Sequence, residues 1–298
     1  MIKKLMCISV FMIFMSSAFA MDIQSHQVSI NNQKIHYYQV GNSKTKPNLI
    51  MLTGIGTTAN FWPKDFINSL SSCFNVYILD YRGLNTDQDT RKIKFSINDL
   101  ANDVNKFSKQ MKLEHVSLLA WSMGGTVALQ TVFDKPSQYE HLYMISPALP
   151  VGPHVDSSSK LKPAPKFNGD DDIYSYVFNN NLYKYLPDNL NTEKSRFIKS
   201  DIKTLFPSPN YYAAEKKARD AWASNQKSYD NFLNLSIPTT IFLSSNDAIE
   251  HIDKMQKTIS KLKHKSQVSV IYLNKSGHAI DWDQSEKLAS MINTIFTS

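Results

Sequence analysis

The chain has 298 residues, 42% apolar and 20% charged, enough for one large α/β domain with an insertion, or two small domains, around a full core. Its formal charge of +7 comes from lysines scattered among acids, with one mild cluster over Lys254–Lys265. No basic stripe interleaved with aromatics occurs, which argues against a nucleic-acid partner and leaves only a weak attraction to anionic lipid or envelope polymers.

The first twenty residues read as a leader, separate from the fold. Lys3 and Lys4 give a basic start, Leu5–Met15 an apolar run, and Ala18-Phe19-Ala20 a small-x-small cleavage site. That is the pattern of a secretory signal peptide cut after Ala20, with export to the periplasm or the medium as the expected consequence. The apolar run is shorter than the roughly 20 residues that span a bilayer, so no stable membrane anchor is expected after cleavage. Loss of Lys3 and Lys4 lowers the charge from +7 to +5. Loss of Cys7 leaves Cys73 as the single cysteine, and no intramolecular disulfide can then form. Cys73 precedes an apolar run with nothing beside it to activate a thiol, and reads as a small buried hydrophobe.

Gln27–Ile30 and Ile35–Val40 alternate on either side of Asn31-Asn32, a hairpin pattern with suitable turn residues. Leu49–Leu52 and Asn75–Leu79 are continuous apolar runs, as parallel strands buried on both faces should be. Ser96, with Asp99 three residues on, opens a helix in capping-box fashion, and Ile97, Leu100, Val104, Phe107 and Met111 form its apolar stripe. A strand over Val116–Leu119 leads through Trp121-Ser122-Met123-Gly124 into a helix reaching about Phe133, followed by a strand at Leu142–Ile145. From 149 to 236 the rhythm breaks: prolines interrupt it and aromatics are dense, which predicts a helical cap inserted over the sheet. The α/β rhythm returns with a strand at Thr239–Leu243, a helix over Ile249–Leu262, a strand at Val268–Leu273 and a last helix carrying Leu288, Ala289, Ile292, Ile295 and Phe296 on one face. Alternating strands and helices predict a mostly parallel sheet flanked by helices, built from residues 21–148 and 237–298 with the cap at 149–236.

Ser122 stands between a strand and a helix, with Ala120 and Gly124 two residues to either side, where strand and helix come too close for large side chains. The usual form of such an elbow is G-x-S-x-G, and Ala120 departs from it by one methyl group. In parallel sheets the working groups gather at the carboxyl ends of strands. Ser122, Asp247 and His278 occupy such ends, in that order. Of the eight histidines only His278 follows a late strand and a glycine. Asp247 competes with Asp253, which falls inside a helix, and with Asp281 and Asp283, which follow the histidine too closely to reach back to its ring easily. A serine hydroxyl needs an imidazole to take its proton, and the imidazole needs a carboxylate to fix its tautomer and stabilise its cation.

The elbow, the order serine–acid–histidine and the cap position resemble the α/β-hydrolase superfamily over essentially all of the chain from about Gln27. Capped esterases and lipases are nearest in style. The resemblance implies Ser122 as nucleophile, His278 as general base and acid, and Asp247 as the orienting carboxylate. It further implies an oxyanion hole made by the N–H of Met123 and by that of Ile55 in Thr53-Gly54-Ile55, where Thr53 replaces the family's usual histidine. Asp80-Tyr81-Arg82-Gly83 resembles the family's D-x-R-G loop and reads as a structural turn tied by Asp80 and Arg82. Trp121, with Phe61 and Trp62, could line an apolar acyl pocket, although the last two could equally belong to a helix packed on the sheet. No cofactor is needed, and no metal-ligand spacing or complete dinucleotide loop occurs.

These readings point to an exported serine hydrolase acting on a small-molecule or lipid carboxylic ester. Serine at the elbow argues against epoxide hydrolases and haloalkane dehalogenases, which use aspartate there. Amide, peptide, thioester and carbon–carbon cleavage run on the same triad, and a peptidase could find an acidic amine anchor in Asp170–Asp172. A non-catalytic binding protein of the same fold is the rival from another class, although all three triad places carry the right residue types.

Overall fold

The computed structural model describes residues 23–89, 93, 95–152, 208–250 and 252–298. The leader and residues 153–207 of the expected cap, Asp170–Asp172 among them, lie outside the described residues.

The chain opens with β1 (Gln24–Ile30) and β2 (Gln33–Val40), joined at Asn31 (φ 52°) and Asn32 (φ 57°). Two successive left-handed residues make the turn whose twist matches the hairpin, and asparagine tolerates that conformation better than most residues. There follow β3 (Asn48–Leu52), α1 (Lys64–Leu70), β4 (Asn75–Leu79), α2 (Ile97–Gln110), β5 (Val116–Trp121), α3 (Met123–Asp134) and β6 (Tyr139–Ile145). Between β6 and β7 the described residues hold α4 (Pro209–Ala223) and α5 (Gln226–Leu233). The core then resumes with β7 (Thr239–Ser244), α6 (Ile252–Ile259), β8 (Val268–Leu273), α7 (Ile280–Asp283) and α8 (Ser285–Thr297). Among the described residues no helix is long and apolar enough to cross a membrane.

The eight strands form one sheet in the order β1-β2-β4-β3-β5-β6-β7-β8. The pairs β1–β2 and β2–β4 are antiparallel and all the others parallel. The chain runs one way from β3 to β4 and then returns past β3 to β5. That reversal leaves a crevice at the carboxyl ends of β3 and β5, where open α/β sheets bind their ligands.

Alternation along the strands feeds two cores. Leu118 and Ala120 of β5 face the layer holding α2, α3 and α4, while Leu119 and Trp121 face the layer of α1 and α8. The α2 start is a full capping box: Ser96 N–H donates to Asp99 Oδ2 at 2.8 Å and Asp99 N–H to Ser96 Oγ at 3.3 Å. The helix expected over Ile249–Leu262 is shorter, Ile252–Ile259, because Asp247 and the turn after β7 occupy its front. Cys73 is half-buried against the α1/α8 core.

The turn after β4 is a structural knot. Asp80 accepts the Ala59 N–H at 2.6 Å, pairs with His36 Nδ1 at 2.7 Å and accepts from Asn85 at 2.8 Å. Arg82 holds Asp103 of α2 through Nε at 2.7 Å and Nη2 at 2.8 Å. This two-pronged pair ties the turn to the helix layer, as the D-x-R-G reading expects.

Candidate active site

β5 ends at Trp121 and α3 begins at Met123, so Ser122 alone turns the chain. Its backbone stands at φ 55°, ψ −120°. A non-glycine residue there carries about 1–3 kcal/mol of strain that its surroundings must hold. They do so from three sides: Ser122 N–H donates to Ile145 O at 3.0 Å, and Ser122 O accepts from Gly125 N–H at 2.9 Å and Ala148 N–H at 3.0 Å. Gly124 is required by contact. A Cβ there would lie 2.3 Å from Leu52 O and 2.8 Å from Thr53 O. Ala120 is fully buried with its methyl accommodated, so the departure from G-x-S-x-G leaves the elbow intact.

Three side chains meet at this elbow. Ser122 Oγ lies 2.9 Å from His278 Nε2, and His278 Nδ1 lies 2.8 Å from Asp247 Oδ2. The other carboxylate oxygen of Asp247 accepts the N–H groups of Ile249 at 2.8 Å and Glu250 at 2.9 Å. His278 is held from behind as well: its carbonyl accepts from Trp121 Nε1 at 2.9 Å, and Asp283 Oδ2 takes the Gly277 N–H at 2.7 Å. Asp253 lies in α6, as expected, and Asp283 serves the histidine loop through Gly277.

Burial opposes charging of His278, but the charge and hydrogen bond of Asp247, helped by Glu250 and Asp281, outweigh it. The imidazole is left above its ordinary 6.5. For Asp247 burial likewise opposes ionisation; His278 and the two backbone donors prevail and hold it below its ordinary 3.8. The pair is therefore poised to take a proton on the imidazole while the carboxylate stays charged.

Met123 is the first residue of α3, a helix whose N-cap side chain makes no capping bond, so its amide is one of the donors a helix start leaves open. The loop after β3 lies against the serine: a Cβ on Gly54 would come within 3.2 Å of Ser122 Cβ. Ile55 follows directly. Thr53, in place of the family's histidine, pairs with the Thr57 hydroxyl, Thr57 Oγ1 donates to Gly54 O at 2.8 Å, and Tyr81 OH donates to Thr53 O at 2.8 Å. Two threonines and a tyrosine thus close the loop without a histidine.

Trp121, Phe61 and Trp62, expected at an acyl pocket, are packed closely in the structure. Each is at most 3% exposed. Phe61 stacks on Trp121 at 4.6 Å, Trp62 stacks on Phe66 of α1 at 5.8 Å, and all three belong to the α1/α8 core. The pleat puts Trp121 on that face, where it backs the histidine. Phe61 closes a single helical turn, Ala59–Phe61, and Trp62 lies between that turn and α1.

A second row, Ser25 Oγ–His36 Nε2 at 2.9 Å and His36 Nδ1–Asp80 Oδ2 at 2.7 Å, imitates the first. Ser25 sits in regular strand on the sheet's edge, with no elbow, and Asp80 is already occupied by Ala59 and Asn85. One buried acid escaped the sequence reading. Glu215 is fully buried, and its Oε2 accepts the Gly56 N–H at 2.8 Å. A signal for it was present: Tyr211, Glu215, Ala218 and Trp222 form the buried stripe of α4 at helical spacing, so the carboxylate takes an apolar position.

Sheet order, elbow and serine–acid–histidine row define an α/β hydrolase, and the chain belongs to that family: residues 47–284 match the model of the alpha/beta hydrolase fold. RutD of Cronobacter turicensis, whose name provisionally makes it a carbamate hydrolase, is 19% identical over 247 residues, 83% of this chain and 89% of its own. A soluble epoxide hydrolase of Corynebacterium sp. is 27% identical over 124 residues, covering 42% of each chain. Among solved structures, an alpha/beta hydrolase fold protein from Chitinophaga pinensis superposes with a TM-score of 0.75 at 15% identity, covering 94% of this chain and 99% of that one.

Proposed function

We propose that this chain is an exported serine hydrolase that cleaves carboxylic esters through an acyl-enzyme on Ser122. The observation that carries the reading is the continuous row Ser122 Oγ–His278 Nε2–Asp247 at 2.9 and 2.8 Å, set at a strained elbow. Export rests on the leader pattern alone. In the first half-reaction Ser122 Oγ attacks the ester carbonyl as His278 Nε2 takes its proton, and Asp247 stabilises the resulting imidazolium. The N–H groups of Ile55 and Met123 receive the tetrahedral oxyanion. Collapse expels the alcohol, protonated by His278. Water then gives its proton to His278, attacks the acyl-serine, and releases the acid with Ser122 restored.

A second reading, amide or carbamate hydrolysis on the same triad, draws support from the name of the RutD relative. For an amide it differs in the amine leaving group that His278 must protonate; for a carbamate the group left on Ser122 differs as well.

The test is hydrolysis of p-nitrophenyl esters of graded acyl length by the protein freed of its leader, beside Ser122→Ala. Turnover abolished in the variant supports the reading, and the chain-length optimum sizes the acyl site. A folded protein without turnover on any ester, but active on amides or carbamates, favours the second reading.

A further inference from the structure

The loop that carries Ile55 is gripped at both ends. Tyr81, from the turn after β4, donates its hydroxyl to Thr53 O at 2.8 Å. The insertion grips the other end. Gly56 has φ +72°, the Tyr212 ring lies 2.6 Å from where a Cβ would stand, and Glu215 Oε2 accepts the Gly56 N–H at 2.8 Å. Gly54, two residues back, rests on Ser122. A single residue of backbone therefore separates the Glu215 contact from the proposed oxyanion donor.

Glu215 is 0% exposed, and its second oxygen, Oε1, has no hydrogen-bond partner among the described residues. A buried carboxylate in that state would carry an uncompensated charge, which proteins avoid by keeping the proton. Among the described residues, the hydroxyls of Tyr81, across the loop, and Tyr211, on its own helix, interact with it electrostatically. Asp80 and Arg82, from the turn after β4, are the charged groups sharing that neighbourhood. Tyr211 OH is spent on Arg82 O at 3.0 Å, and the Arg82 guanidinium on Asp103. Burial accordingly drives the Glu215 carboxyl well above the ordinary carboxylate range, and the Gly56 N–H offsets this only in part.

We infer that Glu215 is a positioning residue for turnover: through its bond to the Gly56 N–H it holds the oxyanion loop in register with Ser122. The inference rests on the serine-hydrolase reading above. Two consequences follow. The neutral acid keeps a carbonyl-type acceptor for Gly56 while adding no negative charge next to an oxyanion. When it ionises, its charge opposes the one developing on the substrate oxygen, and turnover falls on the alkaline side. The helix that carries Glu215 is thereby tied to the chemistry.

The experiment measures the second-order rate at which an alkyl fluorophosphonate modifies Ser122, across a pH series, in the wild type, Glu215→Gln and Glu215→Leu. Folding is checked by circular dichroism and thermal melts. Glutamine reproduces the acceptor without the titration, so its rate at neutral pH should stay within roughly threefold of wild type, and the alkaline decline should disappear. Leucine removes the acceptor and should slow modification about tenfold or more at neutral pH, the gap narrowing on the alkaline side where the wild type declines; on an ester substrate kcat should fall more than KM rises. The melts give a second readout. An acid with a raised folded-state pKa costs stability once pH exceeds its unfolded value, so Glu215→Gln should melt higher than wild type at neutral and alkaline pH. A folded Glu215→Leu reacting at the wild-type rate, or a Glu215→Gln that keeps the alkaline decline, overturns the inference while leaving the serine mechanism standing. Absence of any modification of wild-type Ser122 overturns both.

Discussion

Gly124→Ala isolates the geometric demand of the elbow. The added methyl would stand 2.3 Å from Leu52 O, 2.8 Å from Leu52 C and 2.8 Å from Thr53 O. All three are backbone atoms, so no side chain can swing aside. Restoring an ordinary contact requires α3 and the end of β3 to part by about 1 Å, and the loop carrying Ile55 begins at that end. A displacement of this size in an assembled site costs on the order of 100-fold in rate, comparable to losing one oxyanion donor. The stability cost is smaller. Overpacking takes about 1–3 kcal/mol, and the better helix propensity of alanine returns about 1 kcal/mol. A melting temperature lower by only a few degrees should therefore accompany a hundredfold loss of kcat/KM. The assay is p-nitrophenyl ester hydrolysis beside a thermal melt, with Ala120→Gly as control, since that change removes a methyl already accommodated. A Gly124→Ala protein with wild-type kcat/KM would refute the claim that close strand–helix approach sets the loop.

Asp247→Asn keeps the shape of the row but can present an amide donor to His278 Nδ1, favouring the wrong tautomer; kcat should fall about 10³–10⁴-fold in steady-state assays. Activity of the wild type should decline on the acid side around a midpoint above 6.5, because Ser122 can be deprotonated only by neutral His278, and Asp247 raises its pKa. Asp247→Asn should move that midpoint downward in the residual activity profile. Trp121→Phe retains stacking on Phe61 but loses the donor to the His278 carbonyl, so a stability loss near 1 kcal/mol should appear in denaturant melts together with reduced kcat. Arg82→Ala leaves the largely buried Asp103 carboxylate without its counter-charge, held by the Asn31 amide, and should cost about 3 kcal/mol in the same melts.

The architecture was legible because each signal had one physical reading. Runs such as Leu49–Leu52 are apolar throughout because both sheet faces are covered, and Asn31-Asn32 marks a turn that demands left-handed residues. Ser122, Asp247 and His278 could be picked out because strand ends are few and only one histidine followed a late strand. Packing partners were harder. Trp121 beside the nucleophile suggested a pocket, but strand alternation turns its ring toward α1 and α8, and that depends on which layer covers which face. Glu215 in Ala-Ala-Glu-Lys-Lys reads as a solvated helix residue until the phase of Tyr211, Ala218 and Trp222 is fixed by the sheet beneath. Ser25 and His36 share one hairpin, but their pairing with Asp80 joins segments far apart in sequence and left no local trace.

The central claim is that one serine among many is activated. It is tested most directly by treating the protein with an alkyl fluorophosphonate and mapping the adduct by peptide mass spectrometry. The account predicts a single adduct on the peptide containing Ser122, absent in Ser122→Ala and strongly slowed in His278→Ala. A folded protein that takes no adduct, or takes it on Ser25 beside His36, would contradict it.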